Sequence, residues 1–183
     1  MRSRSWFLVG LFLALALSPA FAGDSGWVLY THPDKLMSVW FPGKPTEGDQ
    51  EGPSPVGRMR VKVATFIDGD RAFVATAGIY PDKTKFDVKG ALARALDKTL
   101  VTLKGRIVAQ KSMTLDGVQG TEVQFTAPGP YKKPLLGVAR VFASADPPIT
   151  YVVMALQMDG KPDPRAPKFL ASLHLGKKVE TRP

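Results

Sequence analysis

Two consecutive segments constrain the fold more than anything else in this chain. Leu135 to Ala145 and Ile149 to Met158 are apolar on both faces of an extended strand, with Asp146-Pro147-Pro148 between them. A strand wet on one side alternates polar and apolar residues. A strand without that alternation has to be covered on both sides. The break between the two is too short for a crossover, so they pair antiparallel. The chain must therefore build an antiparallel sheet with cover on each face.

The rest of the sequence supplies the other strands and the cover. Arg58 to Phe66 alternates, with Arg58, Arg60 and Lys62 on one side and Met59, Val61 and Val63 on the other. That period of two marks a half-buried strand with a wet basic face. Asp68-Gly69-Asp70 is a hairpin signal, and Arg71 to Tyr80 is the returning strand. Arg106 to Leu115 and Val118 to Ala127 form a second hairpin around Asp116-Gly117. Trp27 to Thr31 and Leu36 to Phe41 read as two short strands, and Pro42 to Pro55 as a surface loop rich in Pro, Gly, Glu and Asp. Between the hairpins, Val88, Leu92, Leu96, Leu100 and Leu103 make one apolar stripe at helical spacing. Asp87 suits the N-cap and Gly105 a left-handed C-terminal position. Ala166 to Leu175 reads as a final short helix, followed by a basic tail over residues 176–183. The expected class is α+β: an antiparallel β-sheet covered by helices, an α/β/α sandwich, in a single domain over residues 23–175.

The first residues carry an export signal. Arg2 and Arg4 precede the apolar run Trp6 to Leu17, then Ser18-Pro19 and the small-residue pattern Ala20-Phe21-Ala22. Basic start, short apolar run and A-x-A together read as a secretory signal peptide over residues 1–22, cleaved after Ala22. The run is shorter than the roughly 20 residues of a membrane span, so no transmembrane segment is expected after cleavage. The chain has no cysteine, which excludes a lipid-anchored N-terminus, thiol chemistry and Cys-ligated zinc. Of its 183 residues, 161 follow the cleavage site, enough for a core that needs no disulfide. The expected location is outside the cytoplasm, periplasmic or secreted. Cleavage also explains GDSG at Gly23 to Gly26, the letters around a trypsin-like nucleophile. Ser25 would sit three residues into a frayed terminus with no histidine or aspartate arranged around it, so the match has no chemical content.

The landmarks of the mature chain resemble the PsbP-like family of α/β/α sandwiches, which includes Mog-type proteins and many small exported bacterial proteins. MSVWFPGKP (Met37 to Pro45) is similar to the family's strand ending in a Pro-Gly-x-Pro turn, and LDGVQGTEVQF (Leu115 to Phe125) to its central hairpin. ITYVVMALQ (Ile149 to Gln157) and FLASLHL (Phe169 to Leu175) are similar to its closing strand and helix. The resemblance covers most of the mature chain and implies a binding or assembly accessory. Its motifs are structural and carry no site residues across.

Candidate sites come from the residues themselves. The formal charge of +9 includes Arg2 and Arg4 and favours anionic partners. Arg58, Arg60 and Lys62 could face a row of anionic groups, with a solvated edge as the plainer reading. Tyr131, Lys132 and Lys133, flanked by prolines, could present an aromatic and two cations, or simply form a solvated loop. Trp27, Trp40 and Phe41 suit a core better than a sugar platform. Glu47, Asp49 and Glu51 lack a calcium-loop pattern, and His32 and His174 are isolated. No metal site, cofactor or specific nucleic-acid motif is expected. The sequence points to a non-enzymatic, exported cell-envelope accessory or binding protein, contacting an anionic envelope component or a protein partner. The alternative is a small periplasmic hydrolase using carboxylates such as Glu122 or Asp146, which needs two carboxylates in different environments.

Overall fold

The computed structural model describes residues 26–81, 86–130 and 133–176. The expected signal peptide, Tyr131, Lys132 and all but the first residue of the expected basic tail lie outside them. In chain order the elements are β1 (Val28–Thr31), β2 (Met37–Phe41), β3 (Thr46–Ser54), β4 (Gly57–Asp68) and β5 (Arg71–Ile79), then α1 (Val88–Leu103). They continue with β6 (Arg106–Leu115), β7 (Val118–Pro128), β8 (Pro134–Ala145), β9 (Pro148–Gln157), α2 (Arg165–Ala171) and β10 (His174–Leu175).

Seven strands form one sheet in the order β3-β4-β5-β9-β8-β7-β6, paired antiparallel throughout. The doubly apolar strands β8 and β9 sit near its middle, as their composition demands. Each face has its own core. On one face Phe73, Ala75, Phe142, Tyr151 and Val153 pack with Phe169 and Leu173 and with Met37, Val39 and Phe41 of β2. On the other, Val74, Val123, Phe125, Met154 and Leu156 lie beneath Leu96, Leu100 and Leu103 of α1. Close packing on this side needs glycine: a Cβ on Gly137 would enter the Phe125 ring on the neighbouring strand.

Several expectations change. The fold is α+β and antiparallel, but the sheet dominates it. α1 buries only Ala91 completely, and α2 spans two turns. Cover on the α2 side comes largely from a second sheet, β1-β2-β10, which takes the first two strands out of the main sheet. The expected surface loop over Pro42 to Pro55 contains β3, an edge strand wet on both faces. Such a strand has no apolar side to betray it, and the backbone ladder to β4 holds it. The final helix stops at Ala171, and His174 and Leu175 pair with Ser38 and Met37 of β2. The left-handed residue ending α1 is Lys104, with φ 53°, and not Gly105. Gly105 is small for a different reason: a Cβ there would press on Leu100 and Phe125 at 3.1 and 3.2 Å. Asp87 is the N-cap residue, although its side chain makes no capping hydrogen bond.

Candidate functional site

The alternation in β4 does place Arg58, Arg60 and Lys62 on one side, shared with Ala64 of the core that faces α2. β3 then sets an acidic row beside them. Asp49 stands opposite Lys62, Glu51 opposite Arg60, and Glu47 opposite Ala64. Lys62 Nζ lies 2.6 Å from Asp49 Oδ2, and Arg58 reaches Glu51 Oε2 at 3.1 Å. Three cations face three carboxylates, so this strip presents little net charge to a polyanion. Exposed pairs of this kind contribute at most about 1 kcal/mol each to stability. Their clearer effect is to fix the register of an edge strand.

Of the second candidate group, only Lys133 is among the described residues. It is exposed and sits in a tight turn, its carbonyl accepting the Gly129 N–H at 2.9 Å.

The carboxylates named for hydrolysis do not converge. Glu122 on β7 is buried and held by Arg140 at 2.7 Å and Lys111 at 2.9 Å. Burial pushes its carboxyl up, but these two cations outweigh burial and hold it below the usual glutamate range. Arg140 also donates to the Leu170 carbonyl at 2.7 Å, tying the sheet to α2. Asp146 is exposed in the turn after β8, six residues beyond Arg140, which is roughly 20 Å along a strand.

The histidines have separate surroundings. His32 is fully buried in the turn after β1, its Nδ1 accepting the Asp34 N–H at 3.1 Å while Nε2 has no hydrogen-bond partner among the described residues. Burial holds it below the ordinary imidazole pKa, as does Lys62, against the opposing pull of Asp34, Asp49 and Glu47. His174 lies with Nδ1 3.8 Å from Asp116 Oδ2, and that carboxylate accepts the Leu175 N–H at 2.9 Å. Asp116 thereby joins the tip of the β6–β7 hairpin to β10.

Sequence reasoning missed two groupings. One is an ion-pair network at the start of α2. Asp163, nearly inaccessible, accepts from Arg165 at 2.8 Å and Arg71 at 3.3 Å; these arginines also reach Asp68 and Asp159. It locks the β4–β5 hairpin to α2 and leaves its charges paired. The other lies at the opposite end of the sheet. Val101, Ile107 and Val108 are 68, 40 and 64 % exposed, three of the five large apolar side chains on the described surface. From Val88 to Lys111 the chain carries six cations and one acid, Asp97. Among the described residues, Lys98, Lys104 and Arg106 are exposed and in no ion pair. The sequence signal was the run of cations through helix and strand, but the exposure of Ile107 and Val108 depends on how little of β6 is covered.

The backbone has relatives among solved structures. It matches cyanobacterial PsbP (CyanoP) from Synechocystis sp. PCC 6803 with a TM-score of 0.52 over 86 % of this chain and 97 % of that one, at 13 % identity. The fold is PsbP-like. PA94 of Pseudomonas aeruginosa, a protein of unknown function, aligns over 87 % of this chain and 99 % of its own at 10 % identity; its TM-score of 0.40 adds nothing to that assignment. No protein-family model matches the sequence, and no curated protein is significantly similar to it. Among the described residues, no helix is long and apolar enough to cross a membrane.

Proposed function

We propose that this PsbP-like chain is an exported, non-enzymatic accessory protein of the cell envelope that binds an anionic partner. One observation carries the reading: through the α1–β6 junction, from residue 98 to residue 108, Lys98, Lys104 and Arg106 are exposed without an ion pair among the described residues, and Val101, Ile107 and Val108 are exposed apolar side chains. The cations form no ion pair among the described residues, and Val101 and Val108 are more than half exposed. Apolar side chains left in water next to unmatched charge are what a docking surface retains. The basic strip first expected on β4 is a weaker candidate, because β3 supplies its counter-charge. Export rests on the leader at residues 1–22.

The test uses purified Gly23 to Pro183 as bait in a solubilised envelope extract, at low and at high salt. A partner held at low salt and released at high salt supports electrostatic docking. No partner in either condition contradicts the accessory reading. N-terminal sequencing of the exported protein checks the leader: the expected first residue is Gly23.

A further inference from the structure

The main sheet has two edges, and they are built differently. β3 carries Glu47, Asp49 and Glu51, a proline at position 53 and no large apolar side chain. These are the devices by which natural sheets keep other strands away. β6, at the opposite edge, has no proline and no acid. It is exposed along most of its length. Its register shifts between Ile107 and Ala109, leaving Val108 without a partner on β7. Such a bulge re-aims a side chain at the rim of a sheet.

The hairpin turn fixes which backbone groups are free. Leu115 pairs with Val118 across the two-residue turn Asp116-Gly117, whose φ angles are 49° and 81°. That geometry makes Leu115 and Val118 a hydrogen-bonded pair, and the bonding alternates from there. Leu115, Met113 and Lys111 then bond to β7, while Thr114, Ser112 and Gln110 direct N–H and C=O outward. These are donors and acceptors in ladder spacing, next to exposed apolar side chains.

We infer that β6 is a docking strand: a partner protein adds an acidic, extended segment antiparallel to it, continuing the seven-stranded sheet. This deepens the binding function proposed above and rests on it. Charge selects the occupant. Lys104 and Arg106 stand at the start of this edge without an ion pair among the described residues, β6 itself carries no acid, and Lys111, although bonded to Glu122 of β7, remains 66 % exposed. A second copy would bring the same cations and no acid on its own β6, and so offers them no counter-charge. A partner strand with alternating carboxylates and β-branched residues matches the cations and covers Ile107 and Val108. Main-chain bonds would supply affinity and the side-chain pattern selectivity.

The probe is a synthetic ten-residue peptide of alternating Val and Glu. Its binding to Gly23–Pro183 is followed by amide hydrogen exchange and by titration. The expected result is protection of the Gln110, Ser112 and Thr114 amides in the complex. A Ser112→Pro substitution removes one outward N–H where an edge strand tolerates proline, and should weaken binding at least tenfold. The same peptide N-methylated at alternate residues keeps its charge but cannot form a ladder, and should bind equally poorly to the unaltered protein. Equal binding of the methylated peptide, or no protection at those three amides, would overturn strand addition while leaving an anionic docking surface intact. Binding to phosphatidylglycerol vesicles but not to the peptide would overturn it in favour of a lipid surface. Binding to neither would remove the underlying proposal as well.

Discussion

Phe169 holds α2 to the sheet, and its loss can be estimated from its surroundings. The ring is fully buried, 5.0 Å from the Phe41 centroid and 5.3 Å from that of Phe73. Phe41 belongs to the small sheet and Phe73 to the large one, so a single ring bridges three units of structure. Phe169→Ala deletes most of that contact and leaves a cavity that a two-turn helix cannot easily close. Substitutions of this kind cost about 3–5 kcal/mol. For a chain of this length each kcal/mol moves the melting temperature by about 2–4 °C. A loss of about 4 kcal/mol therefore lowers Tm by about 8–16 °C. Thermal unfolding of Gly23 to Pro183 followed by circular dichroism measures it. The control is Val101→Ser, a change at an exposed position expected to stay within about 0.5 kcal/mol. A Phe169→Ala shift below about 4 °C would refute the view that α2 and the small sheet close this core through that ring.

Two further predictions concern pH. Burial is unfavourable for the Asp163 carboxylate, but Arg165 and Arg71 outweigh it and hold the carboxyl below the ordinary aspartate value of 3.8. A depressed carboxyl stabilises the fold above the unfolded pKa and loses that contribution as pH falls through its folded value. Tm should therefore drop as the pH is taken below 3.8, and Asp163→Asn should lower Tm at neutral pH and flatten that acid limb; an unchanged slope would count against the network. His32 is held below the ordinary imidazole value of 6.5, first by burial, so the unfolded chain takes up its proton before the folded one does. Stability should then decrease as pH falls from 6.5, and His32→Asn, which can still accept the Asp34 N–H, should remove that dependence; a slope that survives the substitution would locate it elsewhere.

The sequence was informative where a local pattern decides the outcome. Asp116-Gly117 is a two-residue turn whatever surrounds it, and the leucines from Leu92 to Leu103 recur at helical spacing. The doubly apolar β8 and β9 could sit only in the middle of a covered sheet. β3 was illegible because an edge strand wet on both faces has the composition of a loop. β10 was absorbed into the helix before it because its two residues pair with β2, a contact about 136 positions away in sequence. The candidate site divides in the same way. Alternation in β4 revealed that Arg58, Arg60 and Lys62 share a face. Only the β3–β4 register shows that Asp49 and Glu51 answer them. The exposure of Ile107 and Val108 follows from β6 standing last in the sheet, and no pattern within Arg106 to Leu115 specifies that.

The central claim is that the cationic, partly apolar edge from Lys98 to Val108 is the surface by which the protein binds. Charge reversal there tests it most directly. Gly23 to Pro183 carrying Lys98→Glu, Lys104→Glu and Arg106→Glu is compared with the unaltered chain and with an Arg58→Glu, Arg60→Glu control, in retention of partner from envelope extract at low salt. The first variant should lose the partner while the control keeps it. Retention by the first variant and loss by the control would place the binding surface on β4 and contradict the account.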